Sequence, residues 1–188
     1  LKGRNAFTTV ATSISFGAVL LVTSPRFIFS LIAIACAVLM AAGLYLEHVL
    51  GLEPCPLCIV QRIFFIIAGI LAFIAALHNP ATRGQRVYAA LIFLSSALGA
   101  ATAGRQVWLQ TLPADQLPAC LPSLDYMMQA LPFQDVVRLV LHGTADCAEV
   151  NWTLFGMSVP EWSLLAFTGF ILLSIYQFFR RSRGVIVR

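Results

Sequence analysis

Five cysteines carry most of the chemistry available to this chain. Two stand three positions apart in Cys55-Pro56-Leu57-Cys58, Cys120 and Cys147 follow in the longest polar stretch, and Cys36 lies in an apolar run. A Cys-x-x-Cys unit acts as a redox element or a metal knuckle, and the compartment it faces decides which chemistry is open to it. The histidines His48, His78 and His142 are scattered, and none stands at metal-ligand spacing from a cysteine. Arg62 follows Cys58 by four positions, a spacing that puts both on one face of a helix. The elements that carry these residues therefore decide what they do.

The chain is 60% hydrophobic and 11% charged, with a mean hydropathy of +0.87 over 188 residues. A soluble domain of this size carries roughly a quarter charged residues, so the composition belongs to the membrane class. Four stretches, about 27–46, 58–77, 87–109 and 162–179, are apolar and long enough to cross about 30 Å of hydrocarbon as helices. The first has no charge, the second is interrupted only by Arg62 and the third only by Arg105. Lipid leaves no partner for unpaired backbone groups, and the alternation of barrel strands is absent. The expected fold is an all-α membrane protein, a bundle of four transmembrane helices.

Charge orients that bundle. All 8 acidic residues fall in two loops, Glu47 and Glu53 in 47–57, and Asp115, Asp125, Asp135, Asp146, Glu149 and Glu161 in 110–161. The opposite side is basic: Lys2, Arg4 and Arg26 precede the first span, Arg83 and Arg86 separate the second from the third, and Arg180, Arg181, Arg183 and Arg188 follow the fourth. The bias of Lys and Arg toward the cytoplasm predicts both termini inside, with 181–188 a basic cytoplasmic tail. Cys55, Cys58, Cys120 and Cys147 are then outside, where disulfides form and persist. The net charge of +4 follows from this orientation and implies no nucleic-acid role.

Residues 1–26 form an N-terminal extension to which no role is assigned. Lys2 and Arg4 ahead of the mildly apolar run from Ala6 to Val22 have the layout of a signal sequence, yet Ser and Thr interrupt it and no small-residue cleavage site is obvious. A fifth span there would put the basic N-terminus outside, against the charge rule. A start at Leu rather than Met fits a fragment or a misassigned start.

Two cysteines at the start of a helix put the second, Cys58, near the unpaired N–H groups and positive dipole end that favour a thiolate. Pro54 and Pro56 fit such a start, since proline is tolerated before or within a first helical turn. Arg62, just inside the membrane, has two readings. An unpaired intramembrane Arg is expensive and marks function, here by holding a thiolate as an anion or donating to a carbonyl oxygen of a bound ligand. The alternative is a side chain snorkelling to the headgroups. In the long loop, Phe133, Val136, Val137, Val140 and Leu141 recur at helical spacing opposite Gln134, Asp135 and Arg138. They predict a short horizontal amphipathic helix on the membrane surface, either a tether for the loop or an ordinary cap on the bundle. Arg105 reads as a boundary residue or a lipid-phosphate ligand, and Cys36 as a small buried packing residue.

The segment Cys55-Pro56-Leu57-Cys58-Ile59-Val60-Gln61-Arg62 opening the second span, an external loop carrying Cys120 and then Asp146-Cys147-Ala148-Glu149, and Phe155-Gly156-Met157-Ser158-Val159-Pro160-Glu161-Trp162 before the last span together resemble the DsbB family of disulfide bond formation proteins. The resemblance covers about residues 26–180. It implies a quinone-dependent protein thiol:disulfide oxidoreductase of the bacterial inner membrane, with periplasmic loops, that reoxidises DsbA, a periplasmic thioredoxin-fold oxidase. By that resemblance Cys120 forms the mixed disulfide with reduced DsbA and Cys147 is released to attack Cys55. Cys58 then engages a quinone from the membrane pool, with Arg62 beside the quinone ring. The quinone is ubiquinone on the same ground, with menaquinone possible because the host's respiratory chain sets the choice.

Three other readings compete. A zinc-binding or structural membrane protein could use the four cysteines, but zinc sites combine close pairs or add histidine, and Cys120 and Cys147 are far apart. A vitamin K epoxide reductase-like enzyme carries its loop pair before the Cys-x-x-Cys, the reverse of the order here. A DsbB paralogue serving one dedicated oxidase shares every feature above.

Overall fold

Each long apolar stretch carries its own start signal. In the protein's structure, a computed structural model that describes residues 24–113, 127, 129–148, 150 and 152–180, these signals open helices α1 (Pro25–His48), α2 (Pro56–His78), α3 (Thr82–Gln110) and α5 (Val159–Phe179). Ser24 caps α1 by accepting the Phe27 N–H at 3.2 Å, and Pro25 follows in the first turn, where its missing N–H is not needed. Before α5, Ser158 and Glu161 form a capping box, with the Glu161 carboxylate taking the Ser158 N–H at 2.6 Å. Helix α2 ends on Asn79 in the left-handed region (φ 42°) just before Pro80, which cannot continue a helix.

All four long helices are apolar enough to cross a bilayer. Each extends beyond the span expected from hydropathy, α3 by five residues at its start, because caps and polar end-turns lie outside the hydrocarbon-length window. Ile63, Ile66, Ile70, Phe73 and Leu77 of α2 point out of the bundle, the arrangement suited to lipid rather than water.

The helices run alternately up and down, with α1 on α2, α2 on α3 and α3 on α5, while α1 scarcely meets α5. The core lies where Phe65 of α2 stacks on Phe167 of α5, their centroids 4.0 Å apart, and meets Phe170 edge-on. Small residues let the backbones approach, as in other membrane bundles. A Cβ on Gly99 would lie 2.4 Å from the Phe167 ring, and one on Gly69 would lie 3.0 Å from the Cβ of Cys36. Cys36 is buried here as a packing residue. At the basic end, Arg26 Nε donates to the Ala76 carbonyl at 3.1 Å and Gln177 Nε2 to the Pro25 carbonyl at 3.1 Å, tying α1 to both α2 and α5.

The opposite end is built from the connections. Helix α4 (Phe133–His142) forms at the expected residues, but its apolar stripe divides. Val136 and Val140 are buried with Met127 against Val60 of α2, whereas Phe133, Val137 and Leu141 remain outward. A short 3-10 turn (Ala145–Cys147) follows, and then a two-stranded antiparallel ribbon of β1 (Thr153–Leu154) and β2 (Met157–Ser158) that leads into α5. Phe155 and Gly156 turn that ribbon with positive φ values of 53° and 80°. Its small size leaves the protein an all-α bundle.

Replacing Gly99 with Ala should lower the thermal midpoint in detergent, because overpacking a fitted core costs about 1–3 kcal/mol. Adding Phe167→Leu should recover most of the loss, and Gly104→Ala, where an added Cβ meets nothing within 4 Å, should be neutral or slightly stabilising. Equal melting of the Gly99→Ala protein and its parent would contradict this packing.

Candidate functional site

The start of α2 determines where the thiols sit. The first N–H groups of a helix have no partner within it, and here sulfur supplies partners. Cys55 is the N-cap residue, extended at φ −64° and ψ 161°, and its Sγ accepts the Cys58 N–H at 3.4 Å. Cys58 lies one turn inside, and the two thiol sulfurs are 3.0 Å apart. The Cys147 Sγ accepts the next free group, the Leu57 N–H, together with the Thr144 hydroxyl at 3.4 Å, and also the Cys55 thiol. Three of the four expected site cysteines therefore form one cluster. The fourth, Cys120, lies outside the described residues.

Cys147 reaches this position through a specific turn. Gly143 breaks α4 with φ 85°, a conformation open to glycine, and an added Cβ there would lie 2.4 Å from Leu109. Leu57, Leu109 and Cys147, each 0% exposed, pack together. Arg105 holds the end of α4: its Nη2 donates to the His142 carbonyl at 3.0 Å while its guanidinium lies 4.3 Å from the Trp108 ring centroid. Arg105 thus fastens the loop to α3.

The hydrogen bonds set the charge distribution. The Cys55 thiol, together with the Thr144 hydroxyl and the Leu57 and Thr144 N–H groups, lowers Cys147 from 9.0 to about 6 despite its burial. Cys55 is pushed well up, first because it donates to Cys147, then by Cys58 and by burial. In this reduced state the proton belongs on Cys55 and the charge on Cys147, beside the sulfur that a nucleophilic Cys147 would attack once Cys55 is in a disulfide.

Arg62 has partners within the protein, which neither reading of its sequence position named. Its guanidinium forms an ion pair with Glu47 and donates to the Gly43 carbonyl at 3.1 Å, both on α1. The polar neighbour of the two thiols is instead Gln106 of α3, whose Nε2 lies 3.3 Å from both the Cys55 and the Cys58 sulfurs. Gln61 donates to the Gln106 Oε1 at 2.7 Å. Neither glutamine was singled out in the sequence, although an amide inside an apolar span is itself a signal, because membrane burial demands a partner for it.

A cavity of about 450 Å³ opens beside these groups, where α1 and α5 separate. Cys55, Cys58, Arg62 and Gln106 line one part, and Leu39, Met40, Phe65 and Trp162 supply apolar wall. Cys58 thus borders an apolar chamber, and Cys147 is enclosed by the loop.

A four-helix membrane bundle with three converging thiols at one mouth is an arrangement suited to thiol–disulfide exchange. The chain belongs to the DsbB family: residues 25–177 match the model for disulfide bond formation protein DsbB. It is 64% identical over 159 residues to disulfide bond formation protein B 1 of Pseudomonas aeruginosa, covering 85% of this chain and 98% of that one. It is 60% identical to disulfide bond formation protein B of Stutzerimonas stutzeri, with the same coverage, and 49% identical to that of Marinobacter nauticus over 83% of this chain and 93% of the relative. Family and helices together make it a multi-pass bacterial membrane protein that acts in disulfide formation.

The ultraviolet thiolate absorbance of the fully reduced protein should fall as the pH is lowered, with a midpoint of about 6 that disappears in Cys147→Ser. Because the folded value is the depressed one, the thiolate's stabilisation is complete above 9.0 and is lost as the pH falls through about 6. A midpoint at the ordinary cysteine value would mean that the Leu57 and Thr144 donors do not hold the charge.

Proposed function

We propose that the protein reoxidises a periplasmic thioredoxin-fold oxidase of the DsbA type and passes the two electrons to a membrane quinone. The observation that carries this reading is the sequence of contacts from Cys147 to Cys55, from Cys55 to Cys58 at 3.0 Å, and from Cys58 to the wall of an apolar cavity. On this reading the thiol-bearing end with Glu47 and Glu53 faces the periplasm. The end with Arg26, Arg83, Arg86 and Arg180 faces the cytoplasm, in keeping with the charge rule.

Electrons enter by thiol–disulfide exchange. On this reading Cys120 and Cys147 begin as a disulfide: a thiolate of the reduced partner attacks the Cys120 sulfur, the mixed disulfide forms, the Cys120–Cys147 bond breaks and its electron pair leaves on Cys147 as a thiolate. Cys147 attacks the Cys55 sulfur; a Cys147–Cys55 bond forms, the Cys55–Cys58 bond breaks, and its electron pair leaves on Cys58. With Cys55 in the disulfide, the Thr144 hydroxyl and the Leu57 and Thr144 N–H groups remain as donors that favour a Cys147 thiolate, while burial excludes competing small thiols.

The cavity suits a quinone. Leu39, Met40, Phe65 and Trp162 match an apolar ring and its tail, and the Arg62 guanidinium offers a donor for a ring carbonyl. A bound quinone supplies a two-electron acceptor; ubiquinone is the favoured one and menaquinone the alternative. Glu47 and the Gly43 carbonyl hold Arg62 in place, so its pairing with α1 positions the charge at the cavity wall.

Purified protein mixed with reduced DsbA-type partner and ubiquinone should oxidise the partner with matching loss of quinone absorbance; no quinone-dependent turnover would overturn the proposal. Cys120→Ser should abolish the mixed disulfide yet leave Cys55 and Cys58 reactive with quinone. Arg62→Ala should raise KM for quinone roughly ten- to a hundredfold, the scale of a lost charge-assisted hydrogen bond. Unchanged quinone kinetics in that variant would reduce Arg62 to a structural partner of Glu47.

A further inference from the structure

Sulfur leaves a disulfide as an anion, and a buried anion needs a donor. At Cys58 the obvious candidates are occupied elsewhere. Its own N–H goes to the Cys55 sulfur, and the Arg62 guanidinium is turned to Glu47 and Gly43. Among the described residues, the side chain that meets both sulfurs is Gln106, with Nε2 at 3.3 Å from each. The donor thus faces both sulfurs of the pair whose bond would break in the exchange.

We propose that Gln106 is a catalytic hydrogen-bond donor to the departing Cys58 sulfur and that Gln61 is the positioning residue that orients it. An amide has two ends of nearly equal shape, of which only the NH₂ end donates. Gln61 Nε2 donates to the Gln106 Oε1 at 2.7 Å and thereby turns the donor end of Gln106 toward the thiols. Without that contact Gln106 is free to rotate, and its oxygen, already 3.6 Å from the Cys58 sulfur, would oppose a thiolate there. Both side chains are 3% exposed, so water does not offer a substitute partner.

The chemistry balances without a proton moving to or from the amide. Cys147 attacks the Cys55 sulfur, the Cys55–Cys58 bond breaks, and its electron pair resides on Cys58 while Gln106 donates to it. The proposal rests on the exchange route set out above, but it can be tested in the reduced protein alone, with neither partner nor quinone.

The measurement is the pH dependence of iodoacetamide labelling at Cys58, read on its own peptide by mass spectrometry. Gln106→Met, an apolar side chain of similar length that suits a membrane helix, should move the labelling midpoint up by about one to two pH units, the loss of a hydrogen bond to a charged group. Gln61→Met should shift it the same way by less. The double variant should match Gln106→Met alone, because Gln61 acts through Gln106. Gln106→Leu and Gln61→Leu provide second variants, and unchanged thermal midpoints show that the fold is kept. An unmoved midpoint in Gln106→Met, or an equal effect of Gln61→Met with Gln106 already removed, overturns the proposal. If the unaltered protein turns over no quinone, the electron route fails while the labelling profile still decides the role of Gln106.

Discussion

The first turn of α2 presents backbone N–H groups that its own helix cannot satisfy, and thiol sulfur satisfies them. A serine or aspartate would cap a helix as well, but neither exchanges bonds. With Cys55 as the cap and Cys147 on the Leu57 N–H, the structural requirement and the chemical one are met by the same atoms. The rest of the redox end follows from that constraint. Gly143 must turn the chain sharply, Arg105 must hold the end of α4, and Leu109 must leave room for both, or Cys147 does not arrive.

The bundle divides its polar groups by end and by task. Arg26 and Gln177 bond to main-chain carbonyls at the basic end and close it. At the thiol end the polar side chains leave a cavity open, because α1 and α5 stand apart there and Arg62 reaches across to Glu47 instead of filling the gap. A partly exposed ion pair of this kind contributes little net stability. Its clearer effect is geometric, fixing a cation on the wall of an otherwise apolar chamber.

Much of the frame is legible in the sequence because the bilayer imposes a simple rule on it. Apolar runs of hydrocarbon length with at most one charge satisfy their backbone groups as helices, and α1, α2, α3 and α5 follow. The stripe from Phe133 to Leu141 foretells α4, although not that Val136 and Val140 would turn inward while Phe133 and Val137 stayed out. Arg62 was visible as an intramembrane charge, but its partner was not. Glu47 lies on another helix and reads in sequence as an ordinary loop acid. Gln61 and Gln106 were passed over because amides carry no charge to attract notice, and their significance depends on meeting each other and the two sulfurs.

By itself the sequence determined the membrane class, the four spans, the opposed charge of the two ends and the set of cysteines worth attention, since each depends on composition or on spacing along one helix. Only the tertiary structure decided that Cys147 contacts Cys55, that Cys58 borders the cavity, that Arg62 is paired and that Gln106 meets the thiols. Those are contacts between distant segments, fixed by how helices pack and how one glycine turns the loop, and no local periodicity encodes them.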